Sequence, residues 1–177
     1  LSKGQLDMAD TYLKRLVEVA QDAHADVREY IMSLQSNAAG EQPLIPALRD
    51  YLRLFTQNFG VQSELVAPAA LAETAFAPST EMQLMRIIQE ALTNVRKHAR
   101  AQHVVISFIT NDEETRIEIV DDGQGFDSSP VQPQREGLHF GQGIMRDRAR
   151  EIGGVVEVQS APGKGTMVIV TVPRVAQ

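Results

Sequence analysis

The 177-residue chain contains no cysteine. Disulfides and thiolate metal sites are therefore excluded, which is compatible with a reducing compartment. Basic charge is also scarce: 17 Lys and Arg stand against 23 Asp and Glu, for a net charge of −6 and a pI near 5.2. A nucleic-acid binder normally carries a basic face, so this balance argues against nucleic acid as a partner. No apolar run approaches the roughly 20 residues that span a bilayer. No signal peptide is visible. The chain opens at Leu1, and we expect it to be a piece of a longer protein, with any membrane attachment in other parts of the parent. Two phosphate-binding patterns are missing as well. G-x-x-x-x-G-K-[ST] fails at "GKGT" (163–166), where a glycine separates Lys164 from Thr166, and G-x-G-x-x-G fails at Arg146.

What is present is the composition of a globular domain, 43% hydrophobic and 23% charged, with mean hydropathy −0.18. Residues 1–36 place Leu6, Ala9, Leu13, Leu16, Ala20, Ala23, Val27, Tyr30 and Leu34 at alternating spacings of three and four. That heptad stripe predicts a long coiled-coil-like helix that needs a partner helix to bury it. Residues 37–43, rich in Ala, Gly and Pro, read as a linker. A domain over 44–177 follows. Its first helix, 44–58, puts Leu44, Leu48, Tyr51, Leu52 and Phe55 on one face and stops at Gly60. "VQSELV" reads as a short strand. Ser79 or Thr80 is positioned to cap the next helix. Strands 103–110 and 115–120 form a hairpin across "NDEE", and the polar segment 122–140 has no periodicity. A helix over 142–152 is stopped by Gly153 and Gly154, and "VVEVQS" and "TMVIVTVP" are strands turned by "APGKG". The order predicts an α+β fold, a mixed sheet covered on one face by helices.

Polar chemistry concentrates in "IIQEALTNVRKHARA", 87–101. At about 100° per residue, Glu90, Asn94, Lys97 and His98 fall within an arc of roughly 100° beside the apolar stripe of Leu84, Ile88, Ala91, Leu92 and Val95. An isolated helix with that pattern would be a solvated face. The glycines point elsewhere: nine of twelve lie after residue 120, six of them in "DDGQGF" (121–126), "GQG" (141–143) and "GKGT". Asp121 stands where a strand stops, Gly123 and Gly125 permit close approach of another molecule, and Gly141 and Gly143 open the expected 142–152 helix as an anion site.

Together these stretches resemble the ATP-binding catalytic domain of sensor histidine kinases, the Bergerat-type fold shared with type II topoisomerases and mismatch-repair ATPases. "QEALTNVRKHA" is similar to the family's N box, "DDGQGF" to its D-x-G-x-G box, "HFGQGIMRDRA" to the glycine box after the ATP lid, and "GKGT" to the last glycine motif. "KHA" and "HFG…IMRDRA" resemble the nitrate-sensor-like subfamily. The resemblance implies that residues 1–36 are the second helix of the dimerisation and phosphotransfer bundle, making a homodimer in the parent. It implies ATP and Mg²⁺ as ligands, a response regulator as partner and a cytoplasmic domain.

Roles follow from the same resemblance. Asn94 would hold Mg²⁺ through its amide oxygen, and Glu90 would orient or deprotonate the attacking group. Lys97, His98 and the lid residue His139 would face the phosphates. Asp121, supported by Thr166, would accept from the adenine amine, and Gly123, Gly125, Gly141 and Gly143 would let backbone and lid close on the nucleotide. Two departures stand out. Gln142 occupies a position that is usually Leu. The phosphoacceptor pattern, a histidine followed by an acidic residue, is absent: the four histidines are followed by Ala25, Ala99, Val104 and Phe140. His24 and His103 read as structural or surface residues. Three alternatives share the pocket: an ATPase driving conformational change, an anti-sigma-type serine kinase, and a non-catalytic nucleotide-binding module.

Overall fold

In a computed structural model, residues 3–38, 42–68, 71, 76–127 and 136–174 are described. The chain divides into two compact units, Leu1–Ala38 and Ala39–Gln177. The first is a single helix, α1 (Lys3–Ala38), about 54 Å long at 1.5 Å per residue. Its described heptad positions Leu13, Leu16, Ala20, Ala23, Val27 and Tyr30 are all exposed. Among the described residues no helix is long and apolar enough to cross a membrane.

The second unit contains α2 (Leu44–Phe59), β1 (Gln62–Val66), α3 (Pro78–Asn94), β2 (His103–Thr110), β3 (Glu114–Asp121), α4 (Glu136–Glu151), β4 (Val155–Ser160) and β5 (Thr166–Pro173). The sheet order is β1-β2-β3-β5-β4, with β1 parallel to β2 and the remaining pairs antiparallel. The sheet is therefore mixed, as the order of elements predicts. Period-two alternation sets its buried face. Val104, Ile106 and Phe108 of β2 and Thr115, Ile117 and Ile119 of β3 point inward, with Val168, Val170 and Val172 of β5 in register. Leu48 and Phe55 of α2, Leu84, Ile88 and Leu92 of α3, and Met145 and Ala149 of α4 complete the core.

Local chemistry explains most of the ends. Gly60 closes α2 at φ 74°, its N–H donating to the Thr56 carbonyl at 2.9 Å. A Cβ there would touch nothing within 4 Å. Gly60→Ala therefore isolates the cost of a left-handed backbone, and we expect it to destabilise the domain by about 1–2 kcal/mol in denaturant melts. The opposite end of α2 lacks a side-chain cap of its own; the Glu81 carboxylate of α3 accepts from the Leu44 N–H instead. Burial raises the Glu81 pKa, and that hydrogen bond opposes the shift.

Two expectations are corrected. Neither Ser79 nor Thr80 caps α3. The helix starts at Pro78 after Ala77 with no side-chain cap bond, because proline at the first helical position sacrifices an N–H that has no partner anyway. Helix α4 starts at Glu136, six residues before the expected 142, so Gly141 and Gly143 lie inside it and do not open it. Its C-terminus agrees with expectation: Gly153 takes φ 70°, and the Gly154 N–H closes on the Ala149 carbonyl at 2.8 Å.

Candidate functional site

Between the end of α3, the end of β3 and the face of α4 lies a cavity of about 340 Å³. Much of its wall is apolar, from Ala91, Val95, Ile119, Met145 and Val168. The polar groups on it come from separate elements.

Asp121 is the fourth inward position of β3, after Thr115, Ile117 and Ile119. Strand periodicity thus drives a carboxylate into the buried layer, where it is 6% exposed. Its Oδ1 accepts from the Gly123 N–H at 2.8 Å. The backbone N–H and hydroxyl of Thr166, its register partner on β5, donate to it as well. Burial pushes the Asp121 pKa above the usual carboxylate range. The bonds from Gly123 and Thr166 oppose the shift, and Asp122 adds to it. Gly123 is required here for space: a Cβ would collide with the Ala99 carbonyl oxygen and sit 2.7 Å from Asp121 Oδ1. Gly125 is required for conformation as well, at φ 58° with the Ala161 carbonyl oxygen in the place of a Cβ.

Asn94 ends α3, and the chain continues as a π-helical turn, Val95–Ala99, closed by Arg100 at φ 53°. The wider turn breaks the single polar arc expected from α-helical spacing. Asn94 and His98 line the cavity, whereas Lys97 is exposed and outside its lining. Glu90 is half-buried against α4, and a Cβ on Gly141 would run into its Oε1. The Gln124 amide donates to the His98 carbonyl at 2.6 Å and the Gln124 N–H to the Ala99 carbonyl at 2.7 Å. These bonds clamp the glycine loop to the π-turn.

The cavity thus gathers Asn94, His98, Asp121, Gly125 and Thr166. Gly143 has open space around it. His139 falls on α4, but its side chain lies outside the described residues, as does segment 128–135 of the expected lid. Sequence reasoning missed two features. Gln142 is buried in the cavity wall, although its spacing of three from Met145 could have signalled a shared face. Asp122 points out and latches the turn before β2: Oδ1 accepts from the Gln102 and His103 N–H groups at 2.8 and 2.9 Å, and Oδ2 meets His103 Nδ1 at 2.9 Å. The bonds from His103, then that from Gln102, hold the Asp122 pKa below the usual range.

Among the described residues no group of three or more His, Asp or Glu is placed to hold a metal ion. The Asn94 amide on the cavity wall, with Glu90 one turn earlier, provides hard oxygen donors. That suits Mg²⁺, which takes few protein ligands and completes its shell with water and phosphate.

Residues 79–176 match the family described as histidine kinase-, DNA gyrase B-, and HSP90-like ATPase. The chain belongs to this ATPase family. The sensor histidine kinase LiaS of Bacillus subtilis is 33% identical over 160 residues, 90% of this chain and 42% of that protein. The histidine-protein kinase/phosphatase DegS of Brevibacillus brevis is 30% identical over 168 residues, 95% of this chain and 42% of that protein. The chain therefore spans less than half the length of these relatives. In fold it is similar to the histidine kinase domain of the blue-light activated histidine kinase from Erythrobacter litoralis EL346, with TM-score 0.60 and 22% identity over 74% of this chain and 61% of that one. The family match begins within α3, so α1, α2 and β1 lie outside it.

Proposed function

We propose that the ATPase-family domain, residues 44–177, binds Mg·ATP in this cavity and supplies the γ-phosphoryl group to a histidine on the dimerisation bundle of a two-component sensor kinase. Onward transfer goes to an aspartate on a response regulator. Residues 1–36 serve as the second helix of that bundle, 37–43 as the linker, and the parent is a homodimer of the nitrate-sensor-like type with this domain in the cytoplasm. The buried Asp121 carboxylate, facing a largely apolar cavity that has Asn94 and His98 on another wall, carries the reading.

Asp121 accepts a hydrogen bond from the exocyclic amine of adenine. Guanine presents a carbonyl oxygen in place of that amine, so the same carboxylate repels it. Thr166 keeps the carboxylate oriented. The apolar wall takes the base, and Gly123 and Gly125 let the chain pass close to it. His98, with Lys97 and His139, donates toward the phosphates. The Asn94 amide oxygen would hold Mg²⁺, which would supply neutralisation of the phosphate charge. Glu90 accepts the proton of, or orients, the attacking imidazole, while Gly141 and Gly143 let the α4 backbone close on the nucleotide. Positioning and charge neutralisation are most of what such a transfer requires of a protein.

The test separates metal from base. Asn94→Ala should weaken Mg·ATP by about 10-fold, the scale of one bond to a charged group, and leave metal-free ADP almost unchanged. Calorimetry in which both ligands weaken equally would remove Asn94 from the metal.

A further inference from the structure

Gln142 is 8% exposed, its side chain lines the cavity, and no hydrogen bond to its amide is present among the described residues. Its amide atoms are not sealed from solvent, so the group reaches the cavity that the residue lines, where an apolar residue of similar volume would offer no polar group. The cavity is open volume that Gln142 lines, and a ligand bound there can partner the amide.

Its place along the cavity selects the partner. Helices α3 and α4 run antiparallel: at one end Arg148 donates to Gln83 at 3.2 Å, and at the other a Cβ on Gly141 would lie 3.4 Å from Asn94 Nδ2. Gln142 follows Gly141 directly, so it sits at the Asn94 end of the cavity. The base-accepting group, Asp121, belongs to another element and is held by the 123 loop and Thr166. An amide has two N–H donors, and phosphate oxygens are acceptors.

We propose that Gln142 donates an amide hydrogen bond to the phosphate chain of the bound nucleotide. The proposal rests on the nucleotide reading of the cavity and adds a contact on α4. It makes the α4 wall part of the ligand's polar shell, in addition to the metal and base contacts.

The test titrates the whole chain with ADP and with adenosine. Gln142→Leu should weaken ADP about 10-fold and leave adenosine unchanged, with a melting temperature close to wild type because the amide makes no hydrogen bond among the described residues. Gln142→Met repeats this with an unbranched apolar chain of similar length. Gln142→Glu should weaken ADP further than either, since a carboxylate would face phosphate. Unchanged ADP affinity in folded Gln142→Leu or Gln142→Met overturns the proposal, and so does equal weakening of ADP and adenosine. Asp121→Asn decides the underlying reading separately. If it weakens both ligands while the Gln142 variants bind like wild type, only the Gln142 contact fails; if it also leaves both unchanged, the nucleotide reading fails with it.

Discussion

Asp121→Asn should weaken ADP binding about 10-fold or more while the domain stays folded. Hydrogen bonds to charged groups contribute about 1.5–3 kcal/mol, and each 1.4 kcal/mol is a factor of about 10 in affinity. The substitution keeps the shape but trades one acceptor oxygen for an N–H₂. The Gly123 N–H and Thr166 already point donors at this group, so the remaining oxygen is drawn to them and a donor is left facing the adenine amine. Stability should move the other way. The folded pKa of Asp121 is raised, chiefly by burial. The ionised group therefore costs stability fully above its folded pKa, and that cost vanishes below the unfolded value near 3.9. The melting temperature of Asp121→Asn should match or exceed wild type at pH 7, with the advantage shrinking as pH falls through the raised pKa. Unchanged ADP affinity in a folded mutant would sink the base assignment.

Its neighbour behaves oppositely. Asp122 has a lowered folded pKa from the His103 and Gln102 bonds, so its contribution is present above the unfolded carboxylate pKa and lost as pH falls through the folded one. The letters "DD" carry no such distinction. The strand period does: Thr115, Ile117 and Ile119 commit the odd positions to the core, and Asp121 inherits that face while Asp122 takes the other. For the same reason β2, β3 and β5 were legible, since each alternates or concentrates β-branched residues against one buried face.

The π-turn after Asn94 was not legible. "VRKHA" suits an α-helix equally well, and what selects the wider turn is tertiary: Val95 and Ala99 are both buried, and the Ala99 carbonyl receives the Gln124 N–H. The start of α4 was hidden by composition. "EGLHFGQG" holds three glycines within seven positions, each costing about 1 kcal/mol of helix propensity, so packing of Met145 and Ala149 decides the element. Gln142 was visible as an unusual residue, and its spacing from Met145 hinted at a shared face, but which way that face turns depends on how α4 packs against α3.

The chain should bind ATP yet not phosphorylate itself. None of His24, His98, His103 and His139 is followed by an acidic residue, and the acceptor in the proposed reaction lies on a different helix of the bundle. Incubation with γ-labelled ATP and Mg²⁺ should leave the chain unlabelled. Acid-labile, base-stable label on it would make one of these histidines an acceptor and overturn the division of labour proposed for the bundle. A separately supplied bundle carrying an acceptor histidine should become labelled in trans, and Asn94→Ala should abolish that transfer. Pairing is expected to assist it. Leu13, Leu16 and Val27 are 61%, 65% and 57% exposed on α1, and each Å² of apolar surface buried contributes about 25 cal/mol. Transfer should therefore rise with the concentration of the bundle and fall when Leu13 and Leu16 are replaced by Glu, while ADP affinity, set by the cavity of the other unit, stays unchanged.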